Sequence, residues 1–383
     1  MYYTMIRIFF VSLVICVSVV RGLHRANFAT RADLRNTRRN CWDYDLTPIS
    51  KTGVRGDSDS SWRTTGMENI QFIEREKFDV RPDLLTFDAY NTLIQPSQSI
   101  GKWYREVLNN ACDMAIRLPR PSFFTEGFKI AYAAKNEKHP CFGAKDGMTS
   151  REWWTDVIRE TYLNTKLLTE VDPDELEQLL PELVDALYSD VFGSKEGWVL
   201  KEDVIYTLEK LKDWRDMGNG PKIGVLSNFD DRLPVILADL GIAEYFDFIM
   251  TSFDAKESKP NKGIFEKALR EAGVTDFSAC YHIGDEQATD VAGSIAAGWN
   301  PVRYREWFDE DFPDWTEIDN NEEAAAGAAR RREFLRWGRK DVKTGQEWTE
   351  IWGLDDILSL FGFPEDPDKA ISTVVLKGIY EDS

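Results

Sequence analysis

Five short apolar runs, each rich in β-forming residues and each stopped by polar ones, constrain this chain most: LLTFDA (84–89), KIGVLSN (222–228), FDFIMTS (246–252), CYHIGD (280–285) and NPVRYR (300–305). The later runs are separated by the helical patterns DDRLPVILADLG, KGIFEKALREAG and DVAGSIAAGW. Strands that are apolar on both sides need helices on both sides. The alternation therefore implies an α/β fold with a doubly wound, Rossmann-like parallel sheet. Ligands of such sheets bind beyond the carboxyl ends of the strands. The polar stops sit at those ends: Asp88 in FDAYNTL, Ser227 with Asn228 in VLSN, and Asp285 in IGDEQATD. A strand that only fills a core has no use for a carboxylate at its end. A strand that delivers a nucleophile into a crevice does.

The stretch between the first two runs has a different period. WYREVLNNACDMAI, SFFTEGFKIAYAAKN, SREWWTDVIRETY and DPDELEQLLPELVDALYSDVF place apolar residues at helical spacing. Asp172 before Pro173 starts a helix, and Pro181 should bend it or begin another. Residues 97–199 are expected to form a helical cap inserted into a core of 78–96 and 200–365. Inside that core, 306–345 reads as an insertion. It joins the acidic, aromatic EWFDEDFPDWTEIDNNEE to the basic, helical AAAGAARRREFLRWGRKD, either a solvated loop and helix or a partner site. GLDDILSLFGF reads as a closing helix.

The N-terminal residues 1–40 read as a targeting presequence. The apolar run Ile8–Val20 suits a signal core and is too short for a stable membrane span in the mature protein. The following LHRANFATRADLRNTRRN, with Asp33 its single acid, resembles an organelle transit peptide. The expectation is an organelle-targeted protein, by a mitochondrial or plastid/secretory route. The alternative is a misassigned start or disordered tail on a cytoplasmic or nuclear protein. Residues 41–77 read as linker, with the folded part beginning near Phe78.

Acidic residues outnumber basic ones 66 to 47, a net charge of −19, which argues against a nucleic-acid groove. The five cysteines, at 16, 41, 112, 141 and 280, form no CxxC pair and are expected to be reduced thiols. The three histidines, at 24, 139 and 282, are too dispersed for a His-built metal centre.

Four pieces fall in a telling order: FDAYNTL, VLSN, ESKPNKGIF and IGDEQATD. This set resembles the haloacid dehalogenase-like hydrolase superfamily, whose motifs run nucleophilic Asp, Ser or Thr, Lys, then paired acids. The resemblance covers roughly Phe78 to Arg305. Within the superfamily it is most similar to the haloacid dehalogenase-like hydrolase domain-containing protein 3 group and its fungal relatives, above all over KHPCFGAKDGMTSREWWTDVI. The resemblance implies a Mg²⁺-dependent phosphatase acting on a small phosphorylated metabolite. Asp88 would be the nucleophile, forming a covalent ester. Mg²⁺ would be held by the Asp88 carboxylate, the Tyr90 carbonyl and Asp285, with Asp290 orienting the metal or its water. Lys259 would hold Asp88 ionised, while the Ser227 hydroxyl and the Asn228 amide bind oxygens of the transferring group.

Each residue also has a plain structural use. Asp88 could cap a turn, and Asp285 and Asp290 could be N-terminal acids of a helix. Lys259 could lie on the surface, and Ser227 and Asn228 could be ordinary turn residues. Trp153 and Trp154 read as cap packing ahead of a substrate platform, Lys138 and His139 as a solvated helix end, and His282 as a core histidine.

One position departs from the phosphatase pattern. The second aspartate expected two residues after the nucleophile, the general acid and base, is Tyr90 here. The DAYNTL of this chain resembles the DAYGTL of metal-free 2-haloacid dehalogenases, where halide leaves without a proton. Those enzymes replace the first acid of the last motif, whereas GDEQATD keeps both. The paired acids favour phosphate chemistry. A metal-free dehalogenase and a phosphate-binding protein with scant turnover remain the alternatives.

Overall fold

The computed structural model of the chain describes residues 70–74, 78, 80–112, 118–165, 173–218, 220–305, 337–341 and 343–363. The expected presequence lies outside them. Each of the five apolar runs is a strand: β2 (Leu84–Phe87), β5 (Lys222–Ser227), β6 (Phe248–Thr251), β7 (Cys280–Gly284) and β8 (Asn300–Tyr304). They belong to one sheet of eight, ordered β1-β9-β10-β8-β7-β2-β5-β6, in which β1 is Ile70–Glu74, β9 Trp337–Asp341 and β10 Glu347–Ile351. From β10 to β6 every pairing is parallel, and β9 and β1 continue the sheet antiparallel.

Two expectations are corrected here. Strand β1 lies within the stretch read as linker, so the fold begins before Phe78. Strand β9 lies within the stretch read as an acidic and basic insertion, at the end of the segment read as helical. WGRKD pairs with both β1 and β10. Partners distant in sequence, rather than local periodicity, make this segment a strand.

The central strand β2 pairs with β5 on one side and β7 on the other, so the order of connections reverses beside it. Phe87 lies opposite both Val225 and Ile283, which brings the ends of the three strands to one edge. A crevice opens at such a switch point. Alternate strand residues face opposite sides: Leu85, Phe87, Ile223 and Val225 join one buried cluster, Leu84 and Leu226 another with Ile264 and Phe265. Both faces are covered.

The chain leaves the sheet through β3 (Ile94–Pro96) and returns through β4 (Trp198–Leu200), which pair antiparallel as a separate ribbon. Between them lie α1 (Ile100–Ala111), α2 (Pro121–Lys138), α3 (Ser150–Asn164) and α4 (Pro173–Val184). Helix α3 starts at Thr149, whose hydroxyl accepts from the Glu152 amide while the Glu152 carboxylate accepts from the Thr149 amide, a reciprocal cap. A Cβ at Gly101 would come within 2.0 Å of the Pro121 carbonyl, so α1 can approach α2 only with glycine there. Helix α4 runs through Pro181 and widens into a π-helical stretch, Asp185–Val191. After β4 come α5 (Val204–Asp216), α6 (Leu233–Asp239), α7 (Ser252–Ala255), α8 (Lys262–Ala272), α9 (Ala292–Ala297) and the closing helix α10 (Asp356–Leu360). Among the described residues no helix is long and apolar enough to cross a membrane, and Cys141 and Cys280 are free thiols.

Candidate active site

At the end of β2 the Asp88 amide donates to the Ile283 carbonyl (2.8 Å), anchoring the carboxylate between two strands. The chain then turns sharply: Leu93 and Ile94 both donate to the Ala89 carbonyl at 2.9 Å, and Asn91 takes a left-handed conformation (φ 57°) that asparagine tolerates. Tyr90 packs against the core cluster on one face of the sheet, its ring edge-on to Trp198 with centroids 6.2 Å apart.

Lys259 reaches the site from the loop before α8. Its backbone is clasped by the Asn228 side chain, which donates to the Lys259 carbonyl (3.0 Å) and accepts from the Lys259 amide (2.8 Å). The Asn228 side chain therefore joins two loops. Lys259 is 3% exposed, and its Nζ lies 2.9 Å from Asp88 Oδ1 and 2.6 Å from Asp290 Oδ1.

Asp290 lies in a π-helical turn, Gln287–Val291, leading into α9. Its Oδ2 accepts from the Glu286 amide at 2.9 Å, and its Oδ1 lies 3.0 Å from His282 Nε2. On the other side of the ring, His282 Nδ1 meets Thr86 Oγ1 at 2.9 Å. A Cβ at Gly284 would sit 2.2 Å from Asp290 Cγ, so the glycine makes room for this carboxylate. Asp285 follows β7, its carboxylate 3.5 Å from Thr92 Oγ1 and its carbonyl accepting from Arg303 Nε at 3.2 Å.

Asp88, Asp285 and Asp290 each present an oxygen, and the three oxygens lie within 4.8 Å of one another. One lysine faces three carboxylates. Burial opposes the Lys259 charge, but Asp290 and Asp88 outweigh it and hold its pKa above the ordinary lysine range. Burial also works against ionised Asp290, but Lys259 and His282 outweigh it and hold that carboxyl well below the usual range. The other two acids are left short of positive charge. Burial pushes Asp88 up despite Lys259, with repulsion from Asp290 adding to it. Burial first, then the Asp290 and Asp88 charges, raise Asp285 to about 8. A hard divalent cation would supply the missing charge, and carboxylate oxygens are its preferred ligands. The residues fit Mg²⁺.

Ser227 is 1% exposed, and its hydroxyl lies close enough to Asp88 to favour the ionised carboxylate, so a donor stands beside the nucleophile candidate. The side chains of Asp88, Ser227, Lys259, Asp285 and Asp290 thus converge, while Tyr90, named for its main-chain carbonyl, packs its ring against Trp198 of β4. His282 and Thr86, the first read as core and the second unremarked, belong to the site through Asp290 and Lys259. The available signal was a polar residue inside each apolar strand, and the register sets Thr86 opposite His282.

The sequence profile of the haloacid dehalogenase-like hydrolases matches residues 82–298, which contain every residue of this site. The chain belongs to that family. Haloacid dehalogenase-like hydrolase domain-containing protein 3 of Mus musculus is 36% identical over 215 residues, 56% of this chain and 78% of the relative. The Homo sapiens protein of that name is 33% identical over the same shares. Among solved structures, a 2-haloacid dehalogenase from Pseudomonas syringae is 23% identical with a TM-score of 0.41, covering 62% of this chain and 91% of the other.

Proposed function

We propose that this hydrolase releases phosphate from a small phosphorylated metabolite through an ester on Asp88, with Mg²⁺ as cofactor. The observation that carries the reading is the crowding of three carboxylates, those of the buried Asp88 and Asp290 and the half-buried Asp285, with one lysine paired to the first two. Mg²⁺ bound by Asp88, the Tyr90 carbonyl and Asp285, with Asp290 beside them, would supply the positive charge that lets a carboxylate meet a phosphate dianion. The Asp88 carboxylate would attack phosphorus as the P–O bond to the leaving group breaks, and water would then cleave the aspartyl-phosphate to free phosphate. Lys259 together with the cation would offset the burial that raises the Asp88 carboxyl. The Ser227 hydroxyl and the Asn228 amide hold the phosphoryl oxygens. The helical insertion acts as a cap that admits small substrates and limits water.

Tyr90 gives the leaving group no carboxylic acid, so esters whose leaving group departs without a proton are favoured. Full-length protein should release phosphate from p-nitrophenyl phosphate only with Mg²⁺, and Asp88→Asn should abolish it. Equal rates in that variant would dismiss the covalent route. Tyr90 also favours a second reading, metal-free dehalogenation. Chloride release from 2-chloropropionate in the presence of chelator would establish it in place of the first.

A further inference from the structure

The turn that carries Ser227 and Asn228 continues as Phe229, Asp230, Asp231 and Arg232 before α6. Asp230 is fully buried. Arg232 grips it with two prongs, Nε to Oδ1 at 2.8 Å and Nη2 to Oδ2 at 2.7 Å, and the Arg232 amide donates to Oδ1 at 3.0 Å. Burial alone would raise Asp230, but the guanidinium outweighs it and holds the carboxyl below its ordinary range. The pair is completed from the helical insertion. Trp154 Nε1 donates to Asp230 Oδ2 at 2.7 Å, and Arg232 Nη1 donates to the Tyr188 carbonyl at 2.7 Å. The guanidinium also lies 4.0 Å from the centroid of the Tyr188 ring. Next door, the Ser150 hydroxyl sits 2.5 Å from both Asp231 Oδ1 and the Tyr188 hydroxyl.

A buried ion pair roughly breaks even with apolar packing, so net stability does not account for this arrangement. Position does. Both charges lie on the core turn, two residues apart, so their mutual contacts involve no residue of the insertion. Among the described residues, their remaining hydrogen bonds are met by α3 and the π-helical stretch. An unmet bond to a buried charge is expensive. The seat of the insertion and the shape of the turn are therefore fixed together, three residues from Ser227.

We propose that Asp230 and Arg232 are positioning residues that register the helical insertion on the Ser227–Asn228 turn, so that this turn holds its anion-binding shape only while the insertion is docked. The proposal rests on the reading of that turn as the holder of the phosphoryl oxygens. Its test separates the two.

Hydrogen exchange of the full chain, followed by mass spectrometry over residues 150–158 and 227–232, reads the coupling without any turnover. Asp230→Asn should speed exchange in both segments together by about tenfold or more, the size expected for hydrogen bonds to a buried charge. Trp154→Phe keeps an aromatic side chain, loses the Nε1 hydrogen bond, and should produce a smaller joint change, which keeps the test open if Asp230→Asn does not fold. Lys145→Ala, which removes an exposed ion pair with Glu257 (3.6 Å), should change neither segment. With p-nitrophenyl phosphate as probe, both site variants should raise KM by about tenfold with less effect on kcat and none on Mg²⁺ affinity. Exchange rising in one segment alone, or a KM that does not move in an active enzyme, would overturn the proposal. Joint loosening in a protein that never releases phosphate would support the coupling and refute the phosphatase reading instead.

Discussion

Replacing Lys259 with methionine isolates the charge imbalance at the site. The lysine is buried, with Nζ 2.9 Å from Asp88 and 2.6 Å from Asp290. Methionine keeps much of the volume and removes the cation, leaving three carboxylates within 4.8 Å. Breaking a buried pair in this way costs about 3–5 kcal/mol, a large part of a typical domain's stability. The deficit should depend on pH. Without the lysine, burial and mutual repulsion raise the carboxyl pKa values above their unfolded values. An acid raised in the folded state contributes stability at low pH that is lost as pH rises through the folded value. The variant should therefore sit closer to the parent at about pH 5 than at about pH 8. Mg²⁺ at a hundredfold excess over its Kd should return about 2.7 kcal/mol. Urea unfolding followed by tryptophan fluorescence, in chelator and in Mg²⁺, measures each quantity. A deficit under about 1 kcal/mol, the range of exposed pairs, or one equal at every pH, would refute the reasoning.

Three further outcomes are expected. Tyr90→Asp should raise phosphate release from alkyl phosphates by about 10²–10⁴-fold, and an unchanged rate would show that the missing acid is not limiting. Gly284→Ala places a methyl 2.2 Å from Asp290 Cγ; it should cost about 1–3 kcal/mol by overpacking and weaken the thermal shift produced by Mg²⁺. Burial would raise Asp247, but the Ile223 amide (2.8 Å) and Lys222 outweigh it and hold its carboxyl below the usual range. Its contribution is present above the unfolded carboxyl range and lost as pH falls through the folded value. Asp247→Asn should thus flatten the acid limb of a stability–pH curve measured by urea unfolding.

The central strands were legible because both faces of a parallel sheet are covered. LLTF, KIGVLS and CYHIG read as continuous apolar runs, and the polar residue that ends each run marks the crevice. The three outer strands were not legible. WGRKD and EWTEI carry charges along their length, and their strand character comes from each other, from Ile70–Glu74 beside the first and from β8 beside the second. Within the site, Asp88, Lys259, Asp285 and Asp290 could be named from their order along the chain. His282 could not, because its role depends on Asp290 crossing the end of its strand. Asp230 and Arg232 escaped for the same reason: two charged residues before a helix look like a solvated turn until Trp154 and Tyr188 close over them.

Calorimetric titration of Mg²⁺ into the full-length protein at pH 7, in buffers of different ionisation enthalpy, probes the metal centre most directly. Asp285, raised to about 8, is largely protonated there without metal, so binding should displace a proton and the heat should vary with buffer. One ion per chain should bind, and Asp285→Asn should weaken it strongly and abolish the buffer dependence. Absence of saturable binding, or binding that Asp285→Asn leaves unchanged, would contradict the assignment.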